Sequence, residues 1–303
     1  LMALEIGPGD EILCPSYTFF ATAGCIARLG AIPIFIDVHA DSFNLDVADA
    51  ASKLTSKTKA ILPVHLYGQS ADMGAITELA QERGLKVVED CAQSMGARWK
   101  DDEVGTIGDF GTYSFFPTKN LGGFGDGGML VTNDVDLADK ARVLRVHGSK
   151  PKYYHKLIGG NFRLDALQAA LLSVKLGSLN EFLEQRRANA VYYLKSFKSQ
   201  RHQDLPLILP TEMEHCWHTW NQFTIRVMDG KRDALQAHLK KYEIASEIYY
   251  PLSLHQQECF RDLPAMPCHV SERLAKECLS LPIYPELSRK MQDEVVEVVT
   301  DFL

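Results

Sequence analysis

The sequence predicts an α/β domain built on a mostly parallel sheet, followed by a smaller α+β unit. Three observations predict it. Between Glu11 and Thr132, short apolar runs alternate with helix-patterned stretches, the order that builds a parallel sheet with helices packed on it. Several of these runs are nearly continuous in Ile, Val, Leu and Phe, as strands covered on both faces must be. After Leu164 the strand signal thins and two long helical patterns take over.

Taken in order, the strand candidates of the first part are Glu11–Cys14, Ile32–Val38, Ala60–His65, Leu85–Glu89, Gly111–Phe115 and Met129–Thr132. The helix candidates between them are Thr18–Leu29, Val47–Leu54, Asp72–Arg83 and Asp136–Val146, and Gly30 and Gly84 stand where helix C-caps belong. Leu164–Lys175 and Leu179–Lys198 then carry the chain out of the first domain. The second unit offers one strand, Thr219–Val227, and helices at Lys231–Tyr242, Ser271–Cys278 and Glu286–Leu303, with an N-cap signal at Glu286-Leu287-Ser288. The division is placed at 1–185 and 186–303, within a soft zone from 180 to 205. The opening Leu1–Asp10 reads as the last turn of a helix closing on Gly7, so the chain is expected to lack an N-terminal segment of the full domain.

A chain of 303 residues, 46% hydrophobic and 23% charged, has room for two domains and a substantial core. Its net charge of −7 argues against broad binding to nucleic acid or anionic membrane, which needs a basic field. The seven cysteines are scattered, odd in number and free of any CxxC pair, which fits reduced thiols in a cytoplasmic protein. No signal peptide is visible, and no apolar run approaches the roughly 18 residues of a membrane helix.

Two stretches carry chemistry. Val87-Val88-Glu89-Asp90 is a buried-strand pattern ending in a carboxylate. Ligands of open α/β sheets sit beyond the carboxyl ends of strands, so Asp90 points at a site, although an aspartate there serves equally well to cap the next turn. The second stretch, Gly111-Thr112-Tyr113-Ser114-Phe115-Phe116-Pro117-Thr118-Lys119, runs another strand out into a lysine set before a glycine-rich loop. A lone loop lysine is usually a solvated charge. Enclosure by the flanking aromatics and glycines would lower its pKa and make it a nucleophile. Gly123-x-Gly125-x-x-Gly128 matches a dinucleotide fingerprint in letters only, since it opens a strand rather than a helix. Asp90 and Lys119 together suggest pyridoxal phosphate, which needs an amine for its aldehyde and an acid facing its pyridine nitrogen. Ser114 is the candidate for the phosphate and Phe19 for a ring stacked on the cofactor.

The strings GPGDEILCPSYTFFATA, VHLYGQSADM, VVEDCAQSMGA, GDFGTYSFFPTKNLGGFGDGGML and GGNFRLDALQAALL resemble the DegT/DnrJ/EryC1/StrS family over essentially the whole chain. The resemblance implies the PLP-transferase fold type I, with a mostly parallel sheet of the seven-stranded type. It also implies a pyridoxal 5′-phosphate-dependent aminotransferase acting on a nucleotide sugar, with L-glutamate as the amino donor. Lys119 matches the Schiff-base lysine, Asp90 the acid on the pyridine nitrogen, and Gln93 the residue near the phenolic oxygen. Ser114 matches a phosphate ligand and Phe19 the stacked ring. Asn161 and Arg163 match a segment that enters the neighbouring subunit's site, so a homodimer with shared sites is implied. A Gly-Thr phosphate-binding turn found in the family before the position of Gly7 is absent here. The wording around Lys119 and the LPIYPEL tail look most like enzymes that aminate a 3-keto sugar. Members that act as dehydratases carry His in place of the lysine, so Lys119 disfavours that alternative. A catalytically incompetent fragment is the other.

From Lys140 to Leu164 there is no acidic residue, while Lys140, Arg142, Arg145, Lys150, Lys152, Lys156 and Arg163 are all present. This stretch reads either as a holder of a nucleotide diphosphate, or of a sugar carboxylate in the case of Arg163, or as a solvated loop. His215-Cys216-Trp217-His218 has zinc-ligand residue types but no partner cluster, so no metal is expected. His255 lies where the family has a substrate-side loop and is a candidate substrate contact.

Overall fold

The computed structural model describes residues 1–199 and 205–303. The first strand, β1 (Glu11–Pro15), is buried along its whole length. It is followed by α1 (Ala21–Arg28), β2 (Ile32–Ile36), α2 (Val47–Ser52), β3 (Thr58–Ile61), α3 (Met73–Arg83) and β4 (Lys86–Asp90). Two short strands, β5 (Arg98–Trp99) and β6 (Asp102–Glu103), precede β7 (Phe110–Ser114), β8 (Gly128–Val131) and α4 (Val135–Leu144). The remainder comprises α5 (Ala166–Leu176), α6 (Leu179–Phe197), β9 (Leu207–Ile208), β10 (Cys216–Trp217), β11 (Phe223–Val227), α7 (Arg232–Lys241), α8 (His269–Glu277), β12 (Cys278–Leu281) and α9 (Arg289–Phe302).

The main sheet has six strands in the order β2-β1-β3-β4-β7-β8. All neighbours pair in parallel except β7 with β8. Strand periodicity sorts its residues onto two faces. Ile12, Cys14, Ala60, Val88 and Phe110 pack with Ala23 and Ile26 of α1 and with Leu274 and Ala275 of α8. Their neighbours Leu13, Ile61 and Val87 pack with Ala50 of α2 and Ile76, Leu79 and Ala80 of α3. This two-sided burial is why the strands read as apolar runs. A second core joins β11 and β12 to α7, α9 and the far half of α6, through Phe223, Leu279, Leu235, Val299 and Tyr193. Leu183, near the start of α6, packs instead with Phe115 and Leu121.

The helix signals resolve as physical caps. Asp46, Asp72, Asp134 and Ser288 accept backbone N–H bonds at the starts of α2, α3, α4 and α9, and Gly84 closes α3 in the left-handed conformation. The main sheet is mostly parallel, as expected, with six strands among the described residues. Two expectations are corrected. The opening segment is a 3₁₀ turn, Met2–Leu4, and it closes at Glu5 rather than Gly7. Cys278 begins a strand instead of ending a helix, because Leu279 and Leu281 pair against β11. The soft zone from 180 to 205 includes residues 200–204, which lie outside the described residues.

Glu89 organises the end of β4. Its side chain is fully buried beside an equally buried His65. His65 Nδ1 accepts the Ala71 N–H, which leaves Nε2–H to donate to Glu89 at 2.9 Å. Glu89 also accepts backbone N–H groups from Gly105, Ile107 and Gly108 at 2.7–2.9 Å. Burial pushes this carboxyl's pKa up, but the His65 bond and the backbone donors outweigh it and hold the pKa below its usual value. A depressed folded pKa gives stability that is full above the unfolded value and is lost as pH falls through the folded one. Glu89→Ala is expected to destabilise the fold by about 3–5 kcal/mol by stranding its partners. It should also flatten the acid side of the stability profile, measured by urea unfolding across pH.

Candidate active site

Strand ends position the candidate residues. β4 and β7 lie side by side in parallel, with Asp90 opposite Thr112. Asp90 closes β4, Ser114 closes β7, and the loop beyond Ser114 carries Lys119. Phe19 follows β1, whose neighbours β2 and β3 are reached in opposite directions, so β1 borders a switch point of the sheet.

The Asp90 carboxylate is fixed by two donors, Thr22 Oγ1 at 2.9 Å and the Ala92 N–H at 3.1 Å. Lys119 is half-buried, and its Nζ makes no hydrogen bond or ion pair among the described residues. Burial pulls its pKa below the ordinary lysine value, while the charge of Asp90 pulls it up. The structure therefore brings Lys119 and Asp90 within electrostatic reach of each other. Gln93 Oε1 accepts the Tyr67 N–H at 2.7 Å, and its Nε2 donates to Tyr250 Oη at 2.9 Å, leaving one N–H free. Ser114 Oγ accepts the Phe116 N–H at 3.2 Å and keeps its own proton. Phe19 is 64% exposed, a ring with an open face.

The remaining candidates stand apart. Both ring nitrogens of His255 have partners inside the fold, Ser16 Oγ at 2.6 Å and Glu272 Oε1 at 3.1 Å. His255 thereby pins the loop after β1 to α8. Asn161 and Arg163 are exposed, and Asn161 Oδ1 accepts the Arg163 N–H at 3.4 Å. Three bases of the 140–164 stretch are paired: Lys140 with Glu5, and Arg142 and Lys150 with Asp139. The free positive patch is thus smaller than the sequence suggested. His218 stacks on Trp220 and accepts its N–H, and burial first, then Arg187, pulls its pKa down to about 3. Cys216 Sγ faces the Ser70 carbonyl. His65, Glu89 and Cys91 also bring ligand-type atoms together, but His65 and Glu89 are saturated by the bonds described above. An open groove of about 680 Å³ near Lys86 and Asp109 lies at the amino end of β4, away from this chemistry.

Sequence reasoning missed Thr22, Tyr250 and Tyr67. Thr22 falls within the quoted PSYTFFATA string, but nothing in its spacing reveals a partner on β4. Tyr250 reaches Gln93 from far along the chain.

Residues 1–300 match the DegT/DnrJ/EryC1/StrS aminotransferase family. The chain belongs to that family. It is 51% identical over 304 residues to a pleiotropic regulatory protein of Geobacillus stearothermophilus, covering 100% of this chain and 81% of that protein. It is 44% identical over 299 residues to a UDP-N-acetyl-3-dehydro-alpha-D-glucosamine 3-aminotransferase of Acidithiobacillus ferrooxidans, covering 99% and 79%. A crystal structure of S. venezuelae DesV in complex with a ketimine intermediate superposes with a TM-score of 0.94 at 38% identity, covering 100% of this chain and 80% of that one. Aminotransferases of this family use pyridoxal 5′-phosphate. The residues here fit that group: a half-buried amine without a partner, a carboxylate with lone pairs to spare, and an amide and a hydroxyl with one free proton each.

These pKa directions set a signed expectation. In competitive acetylation followed across pH, Lys119 should label with a midpoint below that of the surface lysines. Asp90→Asn removes the charge that raises the Lys119 pKa, so the midpoint should move further down. Peptide mass spectrometry reads both, and an unchanged or raised midpoint would contradict the electrostatic account.

Proposed function

We propose that this protein transfers the amino group of L-glutamate to the ketone of a nucleotide-linked sugar, with a 3-keto sugar as the acceptor, to give an amino sugar. The observation that carries this reading is the amine of Lys119, half-buried, without a hydrogen-bond or ion-pair partner among the described residues, and within electrostatic reach of the Asp90 carboxylate. Family membership and the named 3-aminotransferase relative support the substrate class.

Bound pyridoxal phosphate supplies an aldehyde that takes up and hands on an amino group, and a ring that accepts an electron pair from the substrate carbon. Lys119 would hold that aldehyde through Nζ. Once released from it, the same nitrogen moves a proton to and from the substrate carbon, a task that needs the amine neutral near working pH. Burial of Lys119 favours that neutral form. The Asp90 carboxylate, steadied by Thr22, would keep a proton on the ring nitrogen. The free N–H of Gln93 would face the phenolic oxygen, Ser114 would donate to the phosphate, and Phe19 would cover the ring.

The remaining parts of the reading rest on composition and surface. Tyr153, Tyr154, Ile158, Phe162, Leu167 and Val174 are each at least 61% exposed, a concentration of apolar surface that supports a homodimer in which Asn161 and Arg163 serve the neighbouring site. Arg163 would then meet the acidic part of the sugar substrate. The split of packing along α6 supports a division at 185/186. The seven free cysteines support a reducing, cytoplasmic setting, and an amino-sugar product suits polysaccharide assembly. Among the described residues no helix is long and apolar enough to cross a membrane.

The protein mixed with pyridoxal phosphate should develop a visible absorbance band that L-glutamate bleaches, and Lys119→Ala should show neither. A band that persists with glutamate would overturn the transaminase reading. With the keto sugar as acceptor, Arg163→Ala is expected to raise KM about tenfold, the equivalent of about 1.4 kcal/mol of lost binding. Unchanged kinetics would remove Arg163 from the site.

A further inference from the structure

The segment that carries Lys119 is a closed loop. Its ends are tied by the Gly123 N–H donating to the Phe115 carbonyl at 2.7 Å, and Lys119 sits midway, its own N–H bonded to the Phe116 carbonyl at 2.9 Å. Beyond that tie, the returning foot of the arch, residues 121–124, is braced by α5. One face of that helix, at helical spacing, presents Gln168, Leu172 and Lys175. Leu172 packs with Phe115 and Leu121, the apolar residues at the two feet of the loop. Lys175 Nζ donates to the Gly122 carbonyl at 2.5 Å, and Gln168 Oε1 accepts the Phe124 N–H at 2.8 Å.

The glycines record how tightly this is packed. A Cβ at Gly123 would stand 2.8 Å from Gln168 Oε1, and one at Gly127 would stand 2.8 Å from Leu164 Cδ1. A Cβ at Gly122 would run into the Pro117 carbonyl, so Gly122 is also the point where the loop folds back on the turn that bears Lys119. Of the string that resembled a dinucleotide fingerprint, Gly123 and Gly125 thus serve close approach to Gln168 of α5, and Gly128 close approach to the Tyr113 carbonyl of β7.

We propose that Gln168 and Lys175 are positioning residues for Lys119, two polar staples on either side of Leu172 that hold the loop shut and keep the amine enclosed facing Asp90. Neither reaches the reacting atoms; each acts through the backbone of residues 122–124. The charged group that acts on Lys119 from the neighbouring strand is Asp90 on β4, and the one that α5 turns to the loop is Lys175 itself. The functional consequence rests on the reading of Lys119 as the cofactor-bearing amine.

The test uses Lys175→Met, which keeps the length of the side chain but removes its donor, together with Gln168→Leu and Gln168→Glu. Glutamate retains an acceptor for the Phe124 N–H, so Gln168→Glu should behave as the wild type. Hydrogen exchange of the amides of residues 116–124 should be about tenfold faster in Lys175→Met and Gln168→Leu, with β4 and α6 unchanged. In the same two variants the pH midpoint of Lys119 acetylation should rise by about half a unit or more, because an opened loop hydrates the amine. The proposal is overturned if exchange and midpoint are unchanged in both, or if Gln168→Glu is as disruptive as Gln168→Leu. If wild-type protein takes up no pyridoxal phosphate but the variants show both changes, the staples stand and the aminotransferase reading falls.

Discussion

Glu89 never touches the space where the chemistry would occur, yet the placement of everything around that space depends on its charge being satisfied. One carboxylate gathers His65, just past β3, and the backbone of the turn that leads into β7, while itself belonging to β4. Three strand ends are thereby tied to a single buried anion. A buried carboxylate is expensive unless every lone pair is met, so the donors cannot drift apart independently. Asp90 is the next residue along, and its carbonyl in turn accepts the His65 N–H. The Asp90 carboxylate inherits the rigidity of its structural neighbour.

Residues from both ends of the chain meet around this floor. Tyr250 reaches in to hold the Gln93 amide, and Tyr17, Tyr67 and Tyr250 pack against one another with ring centroids 5.3–6.2 Å apart. His255 ties the loop that bears Phe19 to α8. Residues late in the chain thus fix the orientation of groups beside Asp90, the kind of contribution a protein makes where a cofactor carries the reactive carbon.

The parallel sheet, its helices and the placing of Asp90 and Lys119 just beyond neighbouring strand ends were legible in the sequence because they follow from local pattern: apolar runs, caps, and polar residues at the ends of strands. The short strands at Arg98–Trp99 and Asp102–Glu103 were not, since their polar residues obey no period. The strand at Cys278–Leu281 was hidden because it follows α8 with no glycine or proline to mark the change. Glu89 looked like any acid at the end of a strand, and its role appears only when the turn before β7 closes over it. His255 was read for its position along the chain, whereas its two partners, Ser16 and Glu272, come from distant segments. The basic stretch after Lys140 was read without Glu5, which folds back onto it. In each case the missing information is a contact between residues far apart in sequence.

The alternation of glycine and non-glycine in the loop after Lys119 has a consequence for how this surface can vary. Gly122 has no space to grow against the Pro117 carbonyl, Gly123 against Gln168 of α5 and Gly127 against Leu164, whereas Phe124 and Asp126 between them are exposed. Side chains at 124 and 126 can differ in size without entering the packed side of the loop that carries Lys119. The same few residues therefore combine a packed inner lining, where any added atom collides, with an exposed outer rim that has room for side chains of other sizes.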